Sequence, residues 1–188
     1  MKIPRFELKT EGVYEPREDS ALLAEAVQEH SHGEILDMGT GSGIQALVAS
    51  KKAQHVTAVD IKKETIETAK KNAYKKRVKN ISFIQSDLFE NVKGKFDLII
   101  FNSPYLPSED KIKGSEQWNG GKTGREVIKK FSEHLSDYLK ENGKILLLIS
   151  SLTGLEETKK IFKSKGFCVN IERKKKIPWE TLYVLEIS

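Results

Sequence analysis

Asp37, Asp60 and Asp87 each follow a short apolar run, and three glycines at alternate positions, Gly39, Gly41 and Gly43, come after the first of them. Carboxylates accept hydrogen bonds and hold cations. Glycines let a backbone approach a ligand closely and adopt positive φ. Ile35-Leu36-Asp37 leads into the glycines, and Ile44, Leu47 and Val48 then recur at helical spacing. This order predicts a strand, a glycine-rich turn and a helix start whose unpaired N–H groups face a ligand. A dinucleotide fingerprint needs G-x-G-x-x-G, but counting from Gly39 puts Ile44 in the third slot and counting from Gly41 puts Ala46 there. The nicotinamide pattern is therefore excluded. Asp37 suits a ligand with a cationic amino group beside the turn, to which Thr40 also belongs. Asp60 lies about 20 residues after the turn, where a carboxylate accepts from ribose hydroxyls, and it equally suits the cap of the helix that follows. Asp87 is placed to accept from an adenine amino group, or to form a turn. Ile61 and Leu88, next to these two acids, are placed at the same ligand.

The elements that must position these groups can be read from apolar periodicity. Residues 1–13 form an extended lead-in. Tyr14-Glu15-Pro16-Arg17-Glu18-Asp19-Ser20 follows, with Asp19 or Ser20 as cap of a helix that buries Leu22, Leu23, Ala26 and Val27. Tyr14 to Asp19 is either the turn that starts this helix or a lid over the ligand. Strands are expected at His55–Val59, Ile81–Ile84, Phe96–Phe101 and Lys144–Ile149, and helices over 43–51, 62–75, 123–140 and 155–165. Two last strands, near 167–173 and 181–187, read as a hairpin turning through Lys174-Lys175-Lys176. Cys168 sits in a strand-like run, where it is expected to pack rather than react.

The chain has 188 residues, a net charge of +5, four histidines and one cysteine. Its length suits one domain, 1–188, in which residues 1–30 are a lead-in and a helix over the ligand site. The longest aliphatic run is Ile145 to Ile149, against about 20 residues for a membrane span. Met1-Lys2-Ile3-Pro4-Arg5 has no apolar signal core, so a cytoplasmic location is expected. The histidines have no metal-ligand spacing; His30 and His32 read as surface residues, and no metal is expected. Gly121-Lys122-Thr123 is not a phosphate loop, because Glu116 stands where that motif needs its first glycine.

D-x-G-x-G-x-G at Asp37 to Gly43 resembles the first motif of class I S-adenosylmethionine (SAM) methyltransferases. Asn102-Ser103-Pro104-Tyr105 resembles the N/D-P-P-Y/F/W motif of the amino methyltransferases within that superfamily. A planar amide or aromatic NH₂ delocalises its lone pair, so it must be aimed rather than deprotonated. Asn102 Oδ1 can accept one proton and the Ser103 carbonyl the other, with Tyr105 packed on the planar group. Ser103 replaces the usual proline of the motif. Pro104 still keeps residue 103 extended, so activity is expected with a slightly less rigid acceptor.

Two further segments narrow the resemblance. Tyr14-Glu15-Pro16 with Asp19, and Trp118-x-Gly120-Gly121-x-x-Gly124-Arg125-Glu126-Val127, resemble the archaeal and eukaryotic HemK-like branch. The resemblance implies an α/β Rossmann-like fold. Its seven-stranded, mostly parallel sheet would have the order 3-2-1-4-5-7-6, an antiparallel last strand and helices on both faces. The implied activity is N5-methylation of the glutamine in the Gly-Gly-Gln loop of a class I translation release factor, with SAM as cofactor. Tyr14, Pro16 and Asp19 would lie beside SAM. Asp37, Gly39, Thr40, Gly41 and Gly43 would form its loop. Asp60 and Ile61 would hold the ribose, and Asp87 and Leu88 the adenine end. Asn102 would meet both cofactor and substrate. The family also suggests a small zinc-binding Trm-type activator, paired along the third strand (Ile81, Phe83), an outer strand whose backbone can take a partner.

Two alternatives remain at this level. Adenine N6 of DNA or RNA presents the same planar NH₂, although the chain has no room for a target-recognition domain and nucleic acid is not expected as the main substrate. A non-catalytic SAM-binding subunit would keep the fold, although the retained Asn102, Pro104 and Tyr105 argue for catalysis.

Overall fold

The computed structural model describes residues 8–10, 12–104 and 121–188. Tyr105, Trp118 and Gly120 lie outside the described residues. Seven strands form one sheet in the order β3-β2-β1-β4-β5-β7-β6. They are β1 (Glu34–Met38), β2 (His55–Asp60), β3 (Ile81–Gln85), β4 (Phe96–Asn102), β5 (Leu139–Ser150), β6 (Val169–Ile177) and β7 (Glu180–Ile187). The β1–β2, β1–β4, β2–β3 and β4–β5 pairs are parallel, and β7 runs antiparallel to both β5 and β6. This is the expected order.

Parallel strands covered on both faces must be apolar on both. Ile145, Leu146, Leu147, Leu148 and Ile149 of β5 are all fully buried, each stabilising the fold by roughly 1.5–3 kcal/mol. Alternate residues enter two cores. Leu36, Ile99, Ile145 and Leu147 pack with Phe131 of α4 (Glu126–Glu133) and Phe162 of α6 (Leu155–Lys163). Ile35, Leu98, Ile100 and Leu146 pack with Leu23, Ala26 and Val27 of α1 (Glu18–His30) and Val48 of α2 (Ile44–Ala49). Helix α3 (Lys63–Lys75) turns Ile66, Ala69 and Ala73 inward, as the spacing predicts.

Several expectations need correction. Neither Asp19 nor Ser20 caps α1; Arg17 holds the cap position and no side chain closes it. The single helix over 123–140 is two, α4 and α5 (Leu135–Tyr138), broken at His134 with φ −112°. Strand β5 starts at Leu139 opposite Phe96, and its register then jumps to Lys144 opposite Leu98. Gly143 sits inside that excursion, where a Cβ would lie 2.9 Å from the Phe96 carbonyl oxygen. Lys174, Lys175 and Lys176 are not a turn: they lie in β6 and pair with Tyr183, Leu182 and Thr181 of β7. An outer strand with solvent at its edge tolerates lysines that an apolar-run criterion reads as loop. Cys168 is exposed rather than packed, because only its backbone is held, by Ser188.

Candidate active site

Strands β1 to β4 are parallel, so their C-terminal ends open on one side of the sheet, where open α/β folds bind ligands. A cavity of about 1160 Å³ lies there. Of the sequence-predicted residues, Tyr14, Pro16, Asp19, Gly39, Thr40, Gly41, Asp60, Ile61, Asp87, Leu88, Asn102, Ser103 and Pro104 line it. Asp37 and Gly43 are not in the lining and stand behind the loop.

The loop is braced from two sides. Asp37, 1% exposed, accepts from Thr40 Oγ1 (2.6 Å) and the Ala46 N–H (3.1 Å) through Oδ2. Asp60 Oδ2 accepts from the Gly41 N–H and Oδ1 from the Lys62 N–H, both at 3.1 Å. It is therefore not a plain helix cap: it ties the glycine turn to the end of β2. Gly43 starts α2 with φ +84°, and a Cβ there would lie 3.3 Å from that of Ala69. That position demands glycine. Burial pushes the Asp37 carboxyl up to about 7, against the two hydrogen bonds. Burial also raises Asp60, opposed by the Lys62 and Gly41 N–H groups.

Under this loop, Asn102 ends β4. Its Nδ2 donates to Asp19 Oδ2 at 3.0 Å and lies 3.4 Å from Ser20 Oγ. A carboxylate oxygen only accepts, so the contact fixes which end of the amide points where. Asn102 Oδ1 is left buried in the cavity with no donor among the described residues. Tyr14 stands beside Asp19; burial, then the Asp19 charge and a hydrogen bond to it, raise the Tyr14 hydroxyl pKa far above the usual value. Asp19 is thus the link between α1 and the Asn102 turn. Ser103 is buried, and its Oγ donates to the Leu148 carbonyl at 3.1 Å. The hydroxyl ties the turn to β5, offsetting the stiffness that a proline would give. Ser103→Ala should lower stability by about 1 kcal/mol and reduce kcat several-fold, with SAM affinity unchanged; melting curves and titrations check this. Unaltered stability and kcat would show that the hydroxyl holds nothing.

Sequence reasoning missed three contributors. Gln45 in α2 donates from Nε2 to the Ser20 carbonyl at 2.9 Å and leaves Oε1 buried, with no partner among the described residues. Asn72, 1% exposed, bonds the Ser42 and Lys9 carbonyls and the Lys9 N–H, joining the lead-in to the glycine loop. Ser86 closes the turn carrying Asp87 and Leu88, donating to the Leu88 carbonyl at 2.8 Å. The signal for Gln45 and Asn72 was a polar residue on the buried face of a helical period. Glu126, in the matched Trp118–Val127 segment, also lines the cavity. Burial raises its carboxyl, but hydrogen bonds from its own backbone, Thr123 and Arg125 together hold it below the usual value.

Among the described residues, seven acidic side chains but only Arg17 and Lys62 of the basic ones line the cavity. Four of its acceptor atoms, Asp19 Oδ1, Gln45 Oε1, Asn102 Oδ1 and Glu180 Oε2, are buried without a donor among the described residues. The site asks for a ligand rich in donors and carrying positive charge. The histidines, by contrast, stand away from it. His32 is exposed, but His30 is half-buried, and its Nε2 lies 3.1 Å from Glu172 and its Nδ1 3.6 Å from Glu186. Lys144 Nζ already bonds Glu186 at 2.9 Å, so this group reads as an ion-pair network.

A sheet of this order, with a braced glycine loop and an Asn-Ser-Pro turn at one acid-lined cavity, defines a class I SAM-dependent methyltransferase. The chain belongs to the methyltransferase small domain family, whose model matches residues 12–177. It is 44% identical to a Methanocaldococcus jannaschii protein named provisionally as a protein N5-glutamine methyltransferase, over 92% of this chain and 90% of that one. It is 30% identical to the release factor glutamine methyltransferase of Fusobacterium nucleatum, covering 85% of this chain and only 50% of that protein. A solved E. cuniculi Mtq2–Trm112 complex, described as methylating the eRF1 termination factor, is 25% identical with a TM-score of 0.76. That match covers 94% of this chain and 98% of the solved one.

SAM is the methyl donor of this class, and the residues present fit it. Its ammonium, ribose hydroxyls and adenine NH₂ are donors for the cavity carboxylates and for acceptors such as Asp19 Oδ1 and Gln45 Oε1. Its positive sulfonium suits the acidic lining. Ile61, 57% exposed at the rim, offers an apolar face to a flat ring.

Proposed function

We propose that this methyltransferase acts on the side-chain amide nitrogen of the glutamine in the Gly-Gly-Gln loop of a class I translation release factor. The observation that carries the reading is Asn102 Oδ1, a buried acceptor with no donor among the described residues, locked in orientation by Asp19. Bound SAM supplies an electrophilic methyl on sulfur. The chain's own residues then have a positioning task. Asn102 Oδ1 accepts one amide N–H and the Ser103 carbonyl the other, so the nitrogen lone pair is left facing the cofactor side of the cavity. Asp19 and Tyr14 hold Asn102, and the Ser103 hydroxyl holds the turn on Leu148. No base is needed before transfer, and the proton leaves the nitrogen afterwards. The relatives named for glutamine methylation favour this substrate. The acidic lining disfavours a phosphate-bearing one, because it repels a polyanion.

The same reading places the protein in the cytoplasm with its substrate. No helix among the described residues is long and apolar enough to cross a membrane. It also includes a small zinc-binding activator on the free edge of β3. The two outer strands differ in a way that supports this choice. β6 carries Arg173, Lys174, Lys175 and Lys176, charges that discourage edge pairing, whereas Ile81-Ser82-Phe83-Ile84-Gln85 of β3 has none. Lysines at the exposed Ser82 and Gln85 should abolish co-purification with such a subunit while SAM binding persists; undiminished co-purification would move the partner elsewhere.

The deciding experiment is transfer of labelled methyl from SAM to a purified release factor, native or with its Gly-Gly-Gln glutamine replaced, with and without the activator. Label on the native factor alone is expected. Equal label on the replaced factor, or label on adenine-containing nucleic acid instead, would overturn the assignment.

A further inference from the structure

The β6–β7 hairpin turns through Pro178 and Trp179, with Ile177 opposite Glu180. Trp179 is 97% exposed, the most exposed of the large hydrophobic side chains described. It also has φ +78°, and the Glu180 N–H bonds back to the Pro178 carbonyl at 3.1 Å. This is the φ of the rarer, strained γ-turn, which a glycine would adopt at lower cost. A strained turn presenting a solvated indole gains nothing for the fold: strain of this kind persists where a function holds it. The hairpin is also rigidly seated. The Thr181 N–H bonds Ser151 Oγ at 3.0 Å, and Leu182 is buried.

The residues on either side of this tip, Ile177 and Glu180, line the cavity that holds Asn102. Glu180 Oε2 is one of the four buried acceptors there without a donor among the described residues. A single turn thus aims a carboxylate inward and an indole outward at the mouth. No cofactor needs an anchor outside the cavity, whereas a polypeptide whose side chain enters it does.

We propose that this hairpin tip is the docking element for the protein substrate. Trp179 packs on the folded substrate outside the mouth, and Glu180 accepts a backbone N–H of the loop that enters. Glycines next to the target glutamine leave their N–H groups unshielded, which matches a carboxylate acceptor. Buried aromatic anchors of this type dominate protein interfaces. Both residues are positioning residues, and the inference rests on the proposed substrate.

The test uses steady-state methylation of the intact release factor and of a short peptide carrying its Gly-Gly-Gln loop. Trp179→Gly removes the ring and relieves the turn, so the fold is retained or stabilised. It should raise KM for the intact factor at least tenfold, with kcat within twofold and KM for the peptide unchanged. Glu180→Ala should raise KM for both, and Glu180→Gln, which keeps an acceptor oxygen, should recover most of the loss. Unchanged KM for the factor in Trp179→Gly, or a loss of SAM affinity in either variant, overturns the docking role. Should wild type label neither factor nor peptide, the glutamine reading is what fails and the docking role falls with it. Label on wild type with no effect of Trp179→Gly sinks the docking role alone.

Discussion

Asn102→Ala is expected to lower kcat on the release-factor glutamine by about 10²–10³-fold, the cost of losing one preorganised acceptor, while SAM affinity stays within about fivefold. That factor corresponds to about 3–4 kcal/mol of transition-state stabilisation. The asymmetry follows from geometry. On the proposed reading Oδ1, without a donor among the described residues, is the atom that meets substrate, and Nδ2 is engaged by Asp19 at 3.0 Å. Alanine removes the acceptor and also leaves Asp19 Oδ2 without its donor. The cofactor loop, braced by Asp37 and Asp60, is untouched. Asp19→Asn should give a smaller loss, because an amide at 19 can face either end of Asn102 and no longer enforces one orientation. Single-turnover transfer, set beside SAM titration, separates the two effects. Wild-type transfer by Asn102→Ala would end the acceptor role. Loss of transfer in proportion to loss of SAM binding would make Asn102 a cofactor ligand only.

The parallel half of the fold was legible because a strand covered on both faces must be apolar throughout. Phe96–Phe101 and Ile145–Ile149 announce themselves as such. The glycine loop and the three strand-end acids were legible because sequence spacing alone brings them to one edge. The Asp19–Asn102 contact was not: its partners are 83 residues apart, and only the packing of α1 over β4 and β5 brings them together. The same holds for His30 and Glu172, 142 residues apart. The lysines of β6 hid a strand because its solvent edge places no demand for apolar residues. The turn itself falls at Pro178 and Trp179, inside the gap that the pattern left between the two strands but later than the three lysines expected to form it. Local pattern recovers what local physics dictates. Ligand-side acceptors and their supports are set by tertiary contact.

Asp37→Asn is expected to stabilise the cofactor-free protein above pH 7, although it alters a motif residue. Burial holds the Asp37 carboxyl at about 7 in the folded chain, against about 3.9 when unfolded. Between these values the unfolded chain ionises while the folded chain keeps its proton. Stability is therefore fully present below pH ~4, falls as pH rises to 7 and is constant beyond, a loss of about 4 kcal/mol. Asparagine has the same shape: its Oδ1 can take the bonds from Thr40 Oγ1 and the Ala46 N–H now made to Oδ2. It carries no proton to lose, so its stability should not fall in that window. Wild type and variant should coincide near pH 4 and diverge by up to about 4 kcal/mol at pH 8. Urea unfolding at a series of pH values measures the difference directly and cancels every other titrating group. Parallel curves between pH 4 and 7 would mean that Asp37 is ionised in the folded chain. The loop would then carry a buried negative charge for the cofactor to neutralise.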